Sequence, residues 1–241
     1  NFRKRDIING GEGAPLTPIF HKYLIKSKKI TLPAGLLNIG GISNFTFMKE
    51  LNNLSIFSKD VGPGNCLIDS WIQKFTEDKF DEEGKISSRG NINKVILEQA
   101  LEVHENNFKN KDNISLDTND FDISFVRGLS LEDGAATLTA FTAKVISSNI
   151  KNFLKNFNDN KLTILLCGGG RKNKNLIDHI KFNLNKNFIL VNSDKFNING
   201  DFIESRAFAY LAIRSIQSLP ISFPNTTGCS SPCSGGEIVH S

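Results

Sequence analysis

The sequence predicts an α/β domain whose sheet carries both parallel and antiparallel strands. Apolar runs of strand length alternate with longer stretches of helical periodicity, and glycine turns close the strand-like runs. Apolar residues make up 39% and charged residues 22% of the 241, a globular composition with enough chain for one large domain or parts of two.

A basic, glycine-rich loop opens the chain and leads into APLTPIFHKYL, where Pro15 and Pro18 suit the first turn of a helix ahead of Phe20 and Leu24. From Ile30 two apolar runs, ITLPAGLLNI and ISNFTFM, read as strands separated by Gly40-Gly41. A third, LSIF, leads through SKDVGPGN into CLIDSWIQKF, where Cys66, Ile68, Trp71, Ile72 and Phe75 recur at helical spacing. Val95 to Phe108 is the best helix of a polar middle segment. Leu131 to Leu154 is the longest, with Asp133 as its expected cap and Ala136, Leu138, Phe141, Val145 and Ile146 as its apolar stripe. KLTILLCGGGRKNKNLIDHIKFNL then reads as buried strand, glycine loop and helix. A strand at FILVN and a helix at SRAFAYLAIRSIQSL follow before Pro220.

Composition excludes several classes. The net charge is +4, but Lys and Asp/Glu alternate along the chain, so no nucleic-acid partner is implied. No apolar run reaches the roughly 18 residues of a membrane span, and no signal peptide is visible. Asn and Lys are abundant throughout, which lowers the weight of any single one. Four cysteines are too few for a disulfide scaffold and indicate a reducing compartment. Cys229 and Cys233 form a CSSPC pair, but without a second Cys/His pair at ligand spacing no metal site is expected, and the segment reads as a frayed tail.

The chemistry lies in three glycine loops at strand ends: Asn38–Gly41 (NIGG), Gly62–Asn65 (GPGN) and Cys167–Gly170 (CGGG). Such loops let backbone N–H groups approach phosphate, and two of them feed helices. None matches the Walker pattern or a clean GxGxxG, so each alone is equally a turn. Three together suggest a nucleotide-dependent transferase. Asp60, just before GPGN, would close the turn or cap the helix, or serve the site; Asp69 would bind a cation or face solvent. Asp6, the other acid beside a glycine loop, stands close to Arg3 and Arg5 in sequence and would pair with them at the surface. His21 reads as a packed or surface histidine rather than a base, and His104, His179 and His240 have no ligand spacing.

In order along the chain, FRKRDIINGGEGAPLTPIFH, LLNIGGISNFT, DVGPGNCLIDSWI, LLCGGGRKNKNL and FIESRAFAYLAIRSIQSLPISFPNTTG resemble the signatures of the anhydro-N-acetylmuramic acid kinase family, from residue 1 to about Gly228. The resemblance implies an actin-like sugar kinase with a ribonuclease-H-like fold, a mixed sheet flanked by helices. On that basis, residues 1–29 are the end of a first domain and 30–200 a second, nucleotide-binding domain. Residues 201–228 are a C-terminal helix and return, and 229–241 a tail. It implies ATP and Mg²⁺ as cofactors, a cytoplasmic homodimer, and a reaction in peptidoglycan recycling in which the 1,6-anhydro ring opens by hydrolysis as O6 is phosphorylated.

Carried residue by residue, the family's general base falls on Asp6, with Asp60 in a supporting role near phosphate or metal. Asn38, Gly40, Gly41, Gly62, Gly64, Asn65, Gly168, Gly169 and Gly170 would contact ATP. Arg3 and Arg5 would hold the substrate's lactyl carboxylate, and Glu204 a sugar hydroxyl. Glu12 replaces the family's usual glutamine in GGEGAPL, which puts a donor role there in doubt. The family's GTSLDG-type and SHGQT-like segments do not occur, so the chain is expected to be an inactive fragment. Alternatives are a kinase of another anhydro sugar, such as levoglucosan, or a non-catalytic actin-like module.

Overall fold

The computed structural model describes residues 1–53, 55–108, 115–156 and 161–237. After a short helix α1 (Lys4–Ile8) and α2 (Pro18–Ser27), strands β1 (Ala34–Ile39), β2 (Ile42–Met48) and β3 (Ile56–Pro63) form a meander. Helices α3 (Cys66–Phe75), α4 (Lys94–Phe108) and α5 (Leu131–Phe153) lead to β4 (Leu162–Cys167). Then α6 (Lys174–Asn183), β5 (Phe188–Asn192), α7 (Ile203–Ile216) and the single turn α8 (Pro224–Thr227) complete the described chain.

The sheet order is β3-β2-β1-β4-β5, with β1, β4 and β5 parallel and β2 antiparallel to its neighbours. This mixed sheet flanked by helices is the one the sequence predicts, and its order is that of a ribonuclease-H-like domain. Because only β2 runs the other way, β1, β3 and β4 all deliver their carboxyl ends to one edge. In open α/β sheets that is the edge where ligands bind.

Alternation along the strands builds two cores. Leu37, Ile39, Phe45, Phe47, Ile164 and Leu166 face α3, α5 and α6. Ala34, Leu36, Met48, Leu165 and Cys167 face α2 and α7, joined by Leu24, Ile25 and Leu211. The residues flanking the sheet in sequence, 1–30 and 203–223, therefore share one apolar core on its second face.

The structure corrects several local expectations. β1 begins at Ala34, not Ile30, since Pro33 lacks the N–H a ladder needs. β3 runs through Asp60 to Pro63, so Asp60 stands inside the strand opposite Asn44 and neither closes the glycine turn nor caps a helix. Ser130 caps α5, accepting from the Asp133 N–H at 3.1 Å, while Asp133 accepts from the Asn91 N–H at 2.7 Å. The CSSPC segment is not frayed. Cys229 is buried, and Cys233 bridges Ser222 through backbone bonds of 2.8–3.3 Å that also reach Ile221. Among the described residues, no helix is long and apolar enough to cross a membrane.

Of the two places expected for His21, packed or surface, the structure shows the first: it is buried against the sheet, with Nδ1 2.8 Å from the Thr46 hydroxyl. Burial pushes its imidazole down from 6.5 to about 3. Between those values the unfolded chain holds a proton that the folded chain does not, so stability falls as pH falls through that window. We predict that this group adds a slope of about 1.4 kcal/mol per pH unit to the unfolding free energy between pH ~6 and ~4. Urea unfolding of His21→Gln at both pH values should lack that slope; equal slopes in variant and wild type would refute the assignment.

Candidate functional site

The three glycine loops, separate in sequence, converge at the carboxyl edge of the sheet. The Gly64 N–H donates to the Gly41 carbonyl and the Asn65 N–H to the Gly40 carbonyl, each at 2.7 Å, so GPGN is stitched onto NIGG. A Cβ on Gly64 would collide with the Gly40 carbonyl. Gly168, at φ +77°, occupies the left-handed region that glycine favours, and a Cβ there would meet the Ile39 carbonyl and the Asn38 Oδ1. A Cβ on Gly170 would strike Ile39 and come within 3.0 Å of the Asn65 Oδ1. Asn38, Gly40, Gly41, Gly64, Asn65, Gly168 and Gly170 are thus brought into one cluster. Gly62, at φ +132°, packs on Val145 of α5 at the end of β3.

The CGGG loop does not enter α6 directly. Gly169–Lys172 form a 3-10 turn, and Asn173 caps α6 by accepting from the Leu176 N–H at 2.9 Å. The Gly169 and Gly170 N–H groups open that turn and meet no protein acceptor among the described residues, as expected for the first donors of a helix. Arg171 is a residue the sequence reading missed. Its side chain, 3% exposed, pairs with Asp194 at 3.2 Å and Asp201 at 2.7 Å, and Nη1 donates to the Gly168 carbonyl at 2.9 Å. Hydrogen bonds from Arg171 and Lys172 hold the Asp201 carboxyl below the usual range. Arg171 therefore fixes the loop's shape and is not free to bind a ligand.

A cavity of about 710 Å³ opens beside this turn, lined by Asn65, Asp69, Asp81, Gly169, Asn173 and Asn192 among others. Burial, and secondarily the charge of Asp81, push the Asp69 carboxyl up to about 6. Asp81 itself accepts from the Ile86 and Ser87 N–H groups at 2.7 and 3.0 Å.

A second cavity, of about 670 Å³, is lined by Gly10, Glu12, Ser58, Asp60, Ser115 and Thr227 among others. Burial pushes the Asp60 carboxyl up, partly offset by hydrogen bonds from the Leu116 N–H at 3.0 Å and the Ser115 hydroxyl at 3.5 Å. Asn38, Asn44 and Asp60 are directly opposed across β1, β2 and β3 and so lie on one face of the sheet. The Asn44 Oδ1 in the middle of this row is buried with no hydrogen-bond partner among the described residues, and Asn44 lines neither cavity.

Asp6 lies behind this cavity and does not line it. It is 1% exposed. Oδ2 accepts from the Gly13 N–H and Oδ1 from the Thr227 hydroxyl, both at 2.7 Å. No room is left for a Cβ on Gly11 against the carboxylate. Thr227, which does line the cavity, carries the contact from Asp6 to it. Nothing local in the sequence marks Thr227, since the bond spans 221 residues.

The arginines do not pair with Asp6. Arg5 donates to the Ser234 hydroxyl at 3.0 Å, and Arg3 is exposed. Glu204 is exposed in the first turn of α7 and lines neither cavity, whereas Glu12 is on the wall of the second.

We predict that Gly64→Ala costs about 2 kcal/mol through overpacking against the Gly40 carbonyl, read as a lowered urea midpoint with unchanged slope. Wild-type stability in that variant would contradict the loop-on-loop packing.

The family model for anhydro-N-acetylmuramic acid kinase matches residues 1–241, so the likeness does not stop at Gly228 as the sequence reading expected. An anhydro-N-acetylmuramic acid kinase of Pelagibacter ubique is 51% identical over 239 residues, 99% of this chain and 64% of that protein. Those of Methylorubrum populi and Zymomonas mobilis are each 38% identical over 238 residues, with 60% and 62% of the relative covered. A solved activator of 2-hydroxyisocaproyl-CoA dehydratase from Clostridium difficile aligns with 82% of this chain and 66% of its own, at TM-score 0.45 and 12% identity, too distant to carry an argument. The chain thus spans 60–64% of the length of these curated relatives, and it belongs to the anhydro-N-acetylmuramic acid kinase family.

Proposed function

We propose that this chain forms the nucleotide-binding and part of the sugar-binding machinery of an ATP-dependent kinase that opens 1,6-anhydro-N-acetylmuramic acid and phosphorylates its O6. The convergence of three glycine loops on one sheet edge carries this reading, together with family membership. The product would be N-acetylmuramic acid 6-phosphate in cytoplasmic recycling of peptidoglycan, with a homodimer as the working assembly.

The residues present fit a nucleotide. The free N–H groups of Gly169 and Gly170 are donors for phosphate oxygens, and Asn38, Asn65 and the Gly40–Gly41 turn stand beside them. Asp69, a carboxylate on the same cavity wall, is the oxygen ligand that suits Mg²⁺. When bound, Mg·ATP supplies the phosphoryl group and the charge neutralisation its transfer requires. Domain bounds at 1–29, 30–200 and 201–228 remain our working division of the chain.

In the sugar cavity, Asp60 is placed to accept a hydrogen bond from a sugar hydroxyl, and Glu12 stands on the rim. Water adds to the anomeric carbon as the bond from that carbon to O6 breaks, and O6 receives the phosphoryl group. Asp6 is the proposed proton acceptor. The Oδ2 accepts from the Gly13 N–H and keeps a second lone pair, and Thr227 links Asp6 to the cavity. Arg3 and Arg5 are exposed, and Arg5 would exchange its bond to the Ser234 hydroxyl for a lactyl carboxylate.

Two measurements test this. Gly169 has only the Asn65 Nδ2 at 3.8 Å in the direction of a Cβ, so Gly169→Ala should leave stability unchanged and weaken Mg·ATP binding by about tenfold in calorimetry, a 1.4 kcal/mol loss. Unchanged affinity would remove the loop from the nucleotide site. In a chimera carrying the residues of the Pelagibacter ubique relative that this chain does not match, Asp6→Asn should lower turnover at least ~100-fold. Equal turnover, or a preference for levoglucosan over the muramyl sugar, would overturn the base or the substrate respectively.

A further inference from the structure

The CSSPC segment folds back over α1, and this brings two thiols that neither the reaction nor the nucleotide uses up to the Asp6 carboxylate. The carboxylate of Asp6 and the thiols of Cys229 and Cys233 offer ligand atoms that all lie within 4.8 Å of one another. The Cys233 Sγ is 4.0 Å from the Asp6 Oδ1. The three residues come from opposite ends of the chain, 227 residues apart between Asp6 and Cys233, which is why spacing alone excluded a metal site.

We propose that Asp6, Cys229 and Cys233 form a binding site for a thiophilic divalent cation, with Zn²⁺ the ion that fits best and water as the fourth ligand. Two sulfurs and one oxygen are a borderline-soft donor set, which selects Zn²⁺ over Mg²⁺ or Ca²⁺. Tetrahedral Zn²⁺ holds its ligands at about 2.0–2.3 Å, so ligand atoms stand about 3.5–3.8 Å apart. Closing from the present separations needs only small rotations of the two cysteine side chains.

The surroundings are built for it. The Gly13 N–H and the Thr227 hydroxyl each hold one oxygen of the carboxylate, and the Ser222 hydroxyl lies 2.9 Å from the Cys233 Sγ and 4.0 Å from the Cys229 Sγ. Such outer hydrogen bonds orient ligands and raise metal affinity. Asp6 and Cys229 are buried, while Cys233 is partly exposed and gives the ion its way in. Binding displaces the two thiol protons to solvent, so affinity rises with pH.

The remaining cysteines provide internal controls. Cys66 and Cys167 are free thiols outside the cluster, and Cys167 is enclosed in the core. A bound ion would also occupy the carboxylate assigned above as the base, so metal and turnover would exclude each other. That consequence rests on the proposed reaction; the binding does not.

The test is titration of the reduced 241-residue chain with Co²⁺ under argon. The site should give a thiolate-to-cobalt charge-transfer band and tetrahedral d–d bands, both displaced by Zn²⁺. Cys233→Ser and Cys229→Ser should each abolish the charge-transfer intensity or weaken binding at least about tenfold, and Cys66→Ser should change nothing. Because a variant can fail to fold, the wild-type chain supplies an independent readout: Zn²⁺ should slow alkylation of Cys233, followed by peptide mass spectrometry, and leave Cys66 unaffected. Absence of a charge-transfer band, its undiminished intensity and affinity in both serine variants, or equal alkylation of Cys233 with and without Zn²⁺ would overturn the proposal.

Discussion

The rest of the structure depends on one steric constraint: three turns approach so closely at the sheet edge that Cβ atoms cannot stand between them. Gly64 lies on the Gly40 carbonyl, Gly168 on Ile39 and Asn38, and Gly170 on Ile39 and Asn65. The parallel sense of β1, β3 and β4 brings the turns to the same edge, and the missing side chains let their backbones interlock. Backbone hydrogen bonds then fix the arrangement before any ligand arrives. Preorganised donors of this kind are what phosphoryl transfer requires, since it relies on positioning and charge neutralisation more than on covalent chemistry.

A second device holds the other end of the site. Asp6, buried at the start of the chain, ties the Gly11–Gly13 loop to Thr227 near its end. The carboxylate therefore has a structural task as well as its proposed catalytic one, and the Glu12 N–H adds a backbone bond to the Thr227 carbonyl at 2.9 Å. Arg171 does the same for the CGGG loop, where its paired guanidinium holds Gly168 against two carboxylates. In both places a charged group that looks available in sequence is spent on loop shape.

Much of the fold was legible because it is local. The buried run LTILLC, the periodic stripe of α5 and the glycine loops at strand ends each carry their own signal. What escaped depends on contacts distant in sequence. Asp133 resembled a cap, but Ser130 is three residues nearer the start, and Asp133 is taken by Asn91. Asp60 looked like part of a turn, yet the ladder with β2 continues past it to Pro63 and turns it toward the cavity that Glu12 and Thr227 also line. Thr227 and the docking of Cys229 and Cys233 gave no local sign, because each acquires its meaning from a partner on another element.

The central claim is that the phosphate-bearing ligand sits at the interlocked loops, with the sugar cavity on the Asp60 side. Photo-crosslinking with azido-ATP and Mg²⁺, followed by peptide mapping, tests it most directly. The account predicts label on the walls of the cavity that contains Asn65, Phe80 and Asn192, competed by unlabelled ATP. Label confined to Phe57–Asp60 and Pro224–Gly228, on the other cavity, would contradict it.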